Sequence, residues 1–233
     1  MVEVHPGWQA DVEAAYRALA PEYRAFLEEG DYIPPKNRVF QAFKTLPKTD
    51  TRYILFGQDP YPRPESAQGY AFIDGAVEKI FCEKGLCKAV NRATSLRNFI
   101  KTLLVCEGLL ELSDTSQKAI AALDKRGLID SIEALRRNFE RNGVLLLNTA
   151  LIFEQKGASA RHVRAWRPFV RTLLARLDER VELILFGGMA DTILKLPEAA
   201  RFTSHRLEHP YNHTFIANPK AHALFGPMHL IKA

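Results

Sequence analysis

The sequence predicts an α/β fold, a three-layer α/β/α sandwich with a central four-stranded parallel sheet. Three observations lead there. Four short apolar runs bounded by turn residues read as strands: Arg52 to Phe56, Val144 to Leu147, Val181 to Phe186 and a weaker one from His205 to Glu208. Stretches with the step of three and four that marks amphipathic helices lie between them, an alternation that builds a parallel sheet covered on both faces. The second and third runs are almost continuously apolar, as strands buried on both sides must be.

Taken in chain order, the first element is helical. Val12, Ala15, Tyr16, Leu19, Tyr23, Phe26 and Leu27 recur at helical spacing between Asp11 and Glu29, and Pro21 splits the pattern into a helix pair. Pro34-Pro35 ends that segment. The first strand runs into Gly57-Gln58-Asp59-Pro60-Tyr61, the second ends on Asn148, the third on Gly187-Gly188 and the fourth on His209-Pro210. Between the second and third strands, Val163, Trp166, Val170, Leu173, Leu174 and Leu177 form the apolar stripe of a helix from Ala160 to Leu177. Ligands of open parallel sheets collect at the carboxyl ends of the strands, so these four polar or glycine-rich signals converge on one edge. Without internal repeat, low-complexity tract or linker, the expectation is one domain over residues 1–233. The stretch from Val105 to Lys125 reads as an insertion with no chemistry of its own.

Composition narrows the function. The 233 residues are 47% apolar and 25% charged, and 32 Lys plus Arg against 27 Asp plus Glu leave +5, a basic lean that permits an anionic partner. Apolar runs such as Gly143 to Asn148 fall well short of the ~18 residues of a spanning helix, and the N-terminus lacks a basic and apolar leader pattern. The expectation is a cytosolic protein without membrane association. Cys82, Cys87 and Cys106 are an odd set, which argues for free thiols rather than a disulfide framework. His205, His209 and His213 are spaced by four, but Pro210 prevents the helix that would align them as ligands, so no metal and no cofactor are expected.

Singly, Asp59, Asn148 and His209 are weak signals, since an aspartate in a Gly/Pro loop is usually a turn residue. In this order, each behind a strand, they resemble the uracil-DNA glycosylase superfamily, nearest to its first family. Gly57-Gln58-Asp59-Pro60-Tyr61 is similar to the water-activating loop, Gly69-Tyr70-Ala71-Phe72 to the stacking-phenylalanine motif, Leu145-Leu146-Leu147-Asn148 to the asparagine motif, and His209-Pro210 to the start of the intercalation loop. Weaker similarity runs from Trp8 through Ile33-Pro34-Pro35 and Phe40 to Phe43, and again at Gly226 and His229.

The resemblance implies a monomeric, metal-independent DNA-repair enzyme that hydrolyses the N-glycosidic bond of uracil in single- or double-stranded DNA and leaves an abasic site. Such a reaction develops a cationic sugar and a uracil anion, which call for a carboxylate near the one and hydrogen-bond donors near the other. Asp59 would position the water and steady the sugar. His209 would donate to uracil O2 as a neutral imidazole whose other nitrogen meets a backbone or side-chain acceptor. The Asn148 amide would read N3–H and O4 together, a pattern that cytosine presents reversed. Tyr61 would exclude a C5 methyl, Phe72 would stack on the flipped ring, and backbone N–H groups near Gln58 would add contacts to O2. Ser95, Gly187 and Gly188 would hold phosphates while the nucleotide turns. Arg161, Arg164, Arg167 and Arg171 form a basic run that either touches nucleic acid or is a solvated helix face.

The chain departs from the family in three places. Pro62 stands where histidine is usual. The Pro-rich loop is replaced by a longer stretch from Phe72 to Ser95 carrying Lys79, Lys84, Lys88 and Arg92. The last loop is longer than usual, so that His213 falls where the leucine wedge is expected, with Tyr211, Phe215 and Ile216 as apolar alternatives. These changes leave two rivals open: a glycosylase for another deaminated base, and a non-catalytic module binding uracil-containing or single-stranded DNA. A serine hydrolase is disfavoured, since there is no Gly-x-Ser-x-Gly elbow.

Overall fold

Pro21 begins a helix instead of bending one. In the computed structural model, which describes residues 2–233, α1 (Gln9–Arg17) ends before it and α2 (Pro21–Glu29) starts on it, where its missing N–H costs nothing. The short α3 (Ala42–Thr45) leads to β1 (Tyr53–Gly57). There follow a small hairpin of β2 (Phe81–Cys82) and β3 (Gly85–Leu86), then α4 (Lys88–Arg92), α5 (Thr94–Cys106), α6 (Gln117–Ala121) and α7 (Ile132–Arg141). The chain continues through β4 (Val144–Asn148), α8 (Ser159–Ala175), β5 (Glu182–Phe186), α9 (Gly188–Leu194), β6 (Ser204–Leu207) and α10 (Pro219–Phe225). No described helix is long and apolar enough to cross a membrane.

The four predicted strands form one parallel sheet in the order β4-β1-β5-β6, so the first strand is central and the chain leaves it first to one side and then to the other. Register places the strand ends level. Gly57 pairs with Asn148, and Phe186 pairs with Leu207, which sets Gly187 and Gly188 beside Glu208 and His209. All five residues of β4 are buried, as its unbroken apolar run required. Helix α8 lays Trp166, Phe169, Val170, Leu173 and Leu174 on the core, with Trp166 and Phe169 edge to face at 5.1 Å, while Pro168 lies on its exposed side. Each such fully buried side chain contributes about 1.5–3 kcal/mol.

One expectation fails. Cys82 and Cys87 are joined in a disulfide, and only Cys106 is free. An odd count argues against a framework of bridges but says nothing about a single local pair. The pairing of Phe81 with Leu86 and Cys82 with Gly85, turned through Glu83 and Lys84, brings the two cysteine Cα atoms to 4.9 Å, inside the range a disulfide spans. Gly85 accepts φ +114° there, and a Cβ on it would run into Gln117. The segment from Val105 to Lys125 thus props this hairpin. Its Gln117 side chain accepts from the Leu86 N–H at 2.7 Å and donates to Asn91 at 2.9 Å.

Candidate active site

The loop after β1 is held from two sides. Backbone bonds from Thr149 N–H to Gly57 O and from Ala150 N–H to Gln58 O, both 2.9 Å, lash it to the end of β4, and the Thr149 hydroxyl donates to Gln58 O at 2.8 Å. From α8, Ser159 Oγ accepts from the exposed Gln58 side chain at 2.7 Å. Asp59 is half-buried at the centre of this frame, followed by buried Pro60. Next to it Asn148 is only 6% exposed. Gly57 is what makes room: a Cβ there would overlap the Asn148 side-chain oxygen, and would lie 3.0 Å from the Ala71 Cβ.

Phe72 and His209 meet on a shared aromatic shelf. The Ala71 N–H donates to Leu146 O at 3.1 Å and ties the segment before Phe72 to β4, while Phe72 itself takes φ +68°, a conformation rare for a residue with a side chain. Its ring packs edge-on against Phe99 at 5.0 Å and tilted on Phe186 at 6.0 Å. The His209 ring lies 6.3 Å from the same Phe186. Gly187, at φ +51°, allows this approach, since its Cβ would stand 3.1 Å from that of His209. The Tyr61 hydroxyl donates to Phe72 O at 3.3 Å, and burial pushes its pKa up to about 12, so the ring stays neutral.

The histidine is oriented by a donor, not by the acceptor expected from sequence. Tyr211 N–H donates to His209 Nδ1 at 3.1 Å, so the neutral ring carries its proton on Nε2. Partial burial of the ring holds the His209 pKa below the usual imidazole value, although the residue as a whole is exposed. A neutral Nε2–H donor is therefore the form present at neutral pH.

Two residues that sequence reasoning passed over complete the frame. Asn98, 1% exposed on the apolar face of α5, donates to Pro210 O at 2.8 Å, Tyr211 O at 3.2 Å and Asn212 O at 3.3 Å, clamping the loop that follows His209. An asparagine among Leu96, Phe99, Ile100 and Leu103 was the available signal. His162, also 1% exposed, meets the Tyr23 hydroxyl at 2.6 Å through Nδ1 and Glu154 at 3.2 Å through Nε2, and the charge of Asp59 reaches it. Burial lowers its pKa against the pull of Glu154. Its position four residues before Trp166 on the buried stripe was the clue.

The remaining candidates sort by exposure. Ser95 is half-buried in the first turn of α5, and Gly188 opens α9 with free space where a side chain would be. Tyr211 is 66% exposed and His213 is exposed at the start of a 3-10 turn, whereas Phe215 and Ile216 lie in the core at 0% and 2%. The last two are thereby removed as wedges. Their burial follows from α5, which packs against that turn and sets Phe99 at 6.3 Å from Phe215. In the arginine run, Arg161 is bonded to Glu154 and Arg171 to Glu198, while Arg164 and Arg167 have no ion pair among the described residues.

Fold and site define a class: an α/β enzyme whose candidate residues gather at the carboxyl edge of its parallel sheet, around the strand from which the chain departs in both directions. The Uracil DNA glycosylase superfamily profile matches residues 43–225, and the chain belongs to that superfamily. A uracil-DNA glycosylase of Lactococcus lactis subsp. cremoris is 31% identical over 186 residues, which cover 78% of this chain and 71% of the relative. The crystal structure of the wild-type UNG of Nitratifractor salsuginis is 54% identical, with a TM-score of 0.96 over 98% of this chain and 93% of that one. The mimivirus uracil-DNA glycosylase, at 17% identity and a TM-score of 0.58 over 90% of this chain and 70% of that one, shares the fold.

Proposed function

We propose that this protein is a DNA-repair uracil-DNA glycosylase that acts as a single-domain monomer on single- or double-stranded DNA. Asp59 orients the attacking water and stabilises the cationic sugar, while His209 donates from Nε2 to the O2 of the departing uracil. Asn148 pairs with N3–H and O4, and backbone N–H groups at Gln58 reinforce the contact to O2. Phe72 stacks on the flipped ring and Tyr61 blocks a C5 methyl. Ser95, Gly187 and Gly188 hold phosphates around the extruded nucleotide, and Tyr211, with His213 beside it, enters the space the base leaves.

One observation carries this reading: the ring that must donate through one nitrogen has its other nitrogen occupied by a donor, the Tyr211 N–H at 3.1 Å, on the same carboxyl edge of the sheet as an asparagine whose place is reserved by Gly57. The Nδ1 contact favours the tautomer that the developing uracil anion needs.

The test is alkali-revealed strand cleavage of single-uracil oligonucleotides, single- and double-stranded, with thymine, cytosine and hypoxanthine controls. Wild type should cut at uracil alone, Asp59→Asn should lose about 10²–10⁴-fold in rate, and Asn148→Asp should lose uracil and gain cytosine. Cleavage by Asp59→Asn at the wild-type rate, or cutting at hypoxanthine in preference to uracil, would refute the assignment.

A further inference from the structure

The surface carries a cleft outside the residues of the candidate site. It lies between α8 and α9, has a volume of about 220 Å³, and is lined by Thr149, Val163, Arg164, Arg167, Val170, Thr192, Ile193, Lys195 and Leu196. Val163, Val170, Ile193 and Leu196 make an apolar floor, while Arg164, Arg167 and Lys195 stand exposed around it. None of these three cations has an ion pair among the described residues. The carboxylates that border the two helices are engaged elsewhere: Glu154 by Arg161, Glu198 by two-pronged contact with Arg171, and Asp191 by Arg206 at 2.8 Å. Glu198 feels Arg167 less than it feels Arg171. The outer arginines of the run are thus neutralised and the inner ones are not, which a merely solvated face gives no reason for.

We infer that this cleft binds phosphates of the DNA strand flanking the target nucleotide. The inference rests on the function proposed above and extends its substrate beyond the flipped residue. Continuity supports it. Thr149, which lines the cleft, directly follows Asn148, and its hydroxyl donates to the Gln58 carbonyl, leaving its oxygen able to accept but its proton committed. Helix α9 begins at Gly188, and α8 begins at Ser159, which is bonded to Gln58. Arg164 and Arg167 therefore stand about 7 and 12 Å down α8 from the site edge, and with the length of their own side chains they serve nucleotides beyond the immediate neighbours of the extruded one. Three unpaired cations over an apolar floor present a stronger field to a phosphate than the same charges on an open helix.

The experiment compares wild type with an Arg164→Ala/Arg167→Ala/Lys195→Ala variant. Fluorescence anisotropy over a salt series gives Kd for a uracil-free single strand of about 20 nucleotides, and kcat/KM is measured on a uracil trinucleotide, which is too short to reach the cleft. The variant should bind the long strand about tenfold more weakly, and the slope of log Kd against log salt should fall by about 0.7–1.4, the release of one or two phosphate contacts. Trinucleotide turnover should stay within about twofold, and lysine at positions 164 and 167 should restore the slope, since a phosphate reads charge before shape. An unchanged Kd and slope would overturn the inference and leave the cations to another partner, an acidic peptide being the alternative that they and the apolar floor fit. A parallel fall on the trinucleotide would also overturn it, by making the cleft a support of the catalytic loop. If wild type excises no uracil, the proposed function fails, whereas the anisotropy series still decides the cleft.

Discussion

Replacing Asn98 with alanine removes one amide that serves three carbonyls. An NH₂ group has two protons, so the 2.8 Å bond to Pro210 O takes one and the contacts at 3.2 and 3.3 Å to Tyr211 O and Asn212 O share the other. Two hydrogen bonds at about 1 kcal/mol each are lost. At least one carbonyl, that of buried Pro210, is left without its partner in a cavity, at a further cost of about 1–2 kcal/mol. The total of about 3–4 kcal/mol is within the about 5–15 kcal/mol that holds a domain together, so the variant should fold. Its Tm should drop by about 6–16 °C, at 2–4 °C per kcal/mol for a chain of this size. The clamped segment also presents the Tyr211 N–H to His209, so activity should fall by about 10–100-fold at a temperature where the protein remains folded. Thermal melts and kcat/KM on a uracil oligonucleotide, measured together, check this. A lowered Tm with kcat/KM within twofold of wild type would refute the argument, because it would mean that the histidine keeps its orientation without the clamp.

Other outcomes follow from the same geometry. The His209 imidazole, its pKa held below the usual 6.5 by burial, should titrate by NMR with a midpoint under that value. Because the folded pKa lies below the unfolded one, this ring's contribution to stability is complete above pH 6.5 and is lost as pH falls toward the lowered midpoint. A midpoint at or above 6.5 would contradict the burial argument. Gly57→Ala should fold with a small loss of Tm but reduce kcat/KM by about 10²-fold, since its Cβ displaces the Asn148 side chain by an ångström or so; unchanged kinetics would show that the asparagine has slack. Reduction of the Cys82–Cys87 bond, or a Cys82→Ala/Cys87→Ala variant, should leave trinucleotide turnover unaltered, because among the described residues no hydrogen bond or ion pair joins the hairpin to Asp59, Asn148 or His209; a loss of rate there would tie the hairpin to the chemistry.

The edge of the sheet that gathers the candidate residues was legible because each of its signals is local. A run of apolar residues ending in Gly57-Gln58-Asp59, one ending in Asn148, and one ending before His209 can each be read without knowing what lies next to it. So can the helix break at Pro21, since a missing N–H and a fixed φ act on the residue's own turn. These determined the fold class and the edge of the sheet at which the candidate residues stand.

Strand order, register and partners were decided by the tertiary structure alone. Nothing local tells β1 to lie between β4 and β5, or sets Gly57 level with Asn148; that depends on which buried faces fit together across long stretches of chain. The same holds for the donor at His209 Nδ1, the three-carbonyl clamp of Asn98, and the burial of Phe215 and Ile216 under α5. Cys82 and Cys87 could not be paired from their number, because a bridge depends on the hairpin turn that brings their Cα atoms together. The arginines of α8 look alike in sequence and differ only by the glutamates that folding brings, or does not bring, within reach. Local chemistry selects residue types for a site, and long-range packing decides which of them are left free to act.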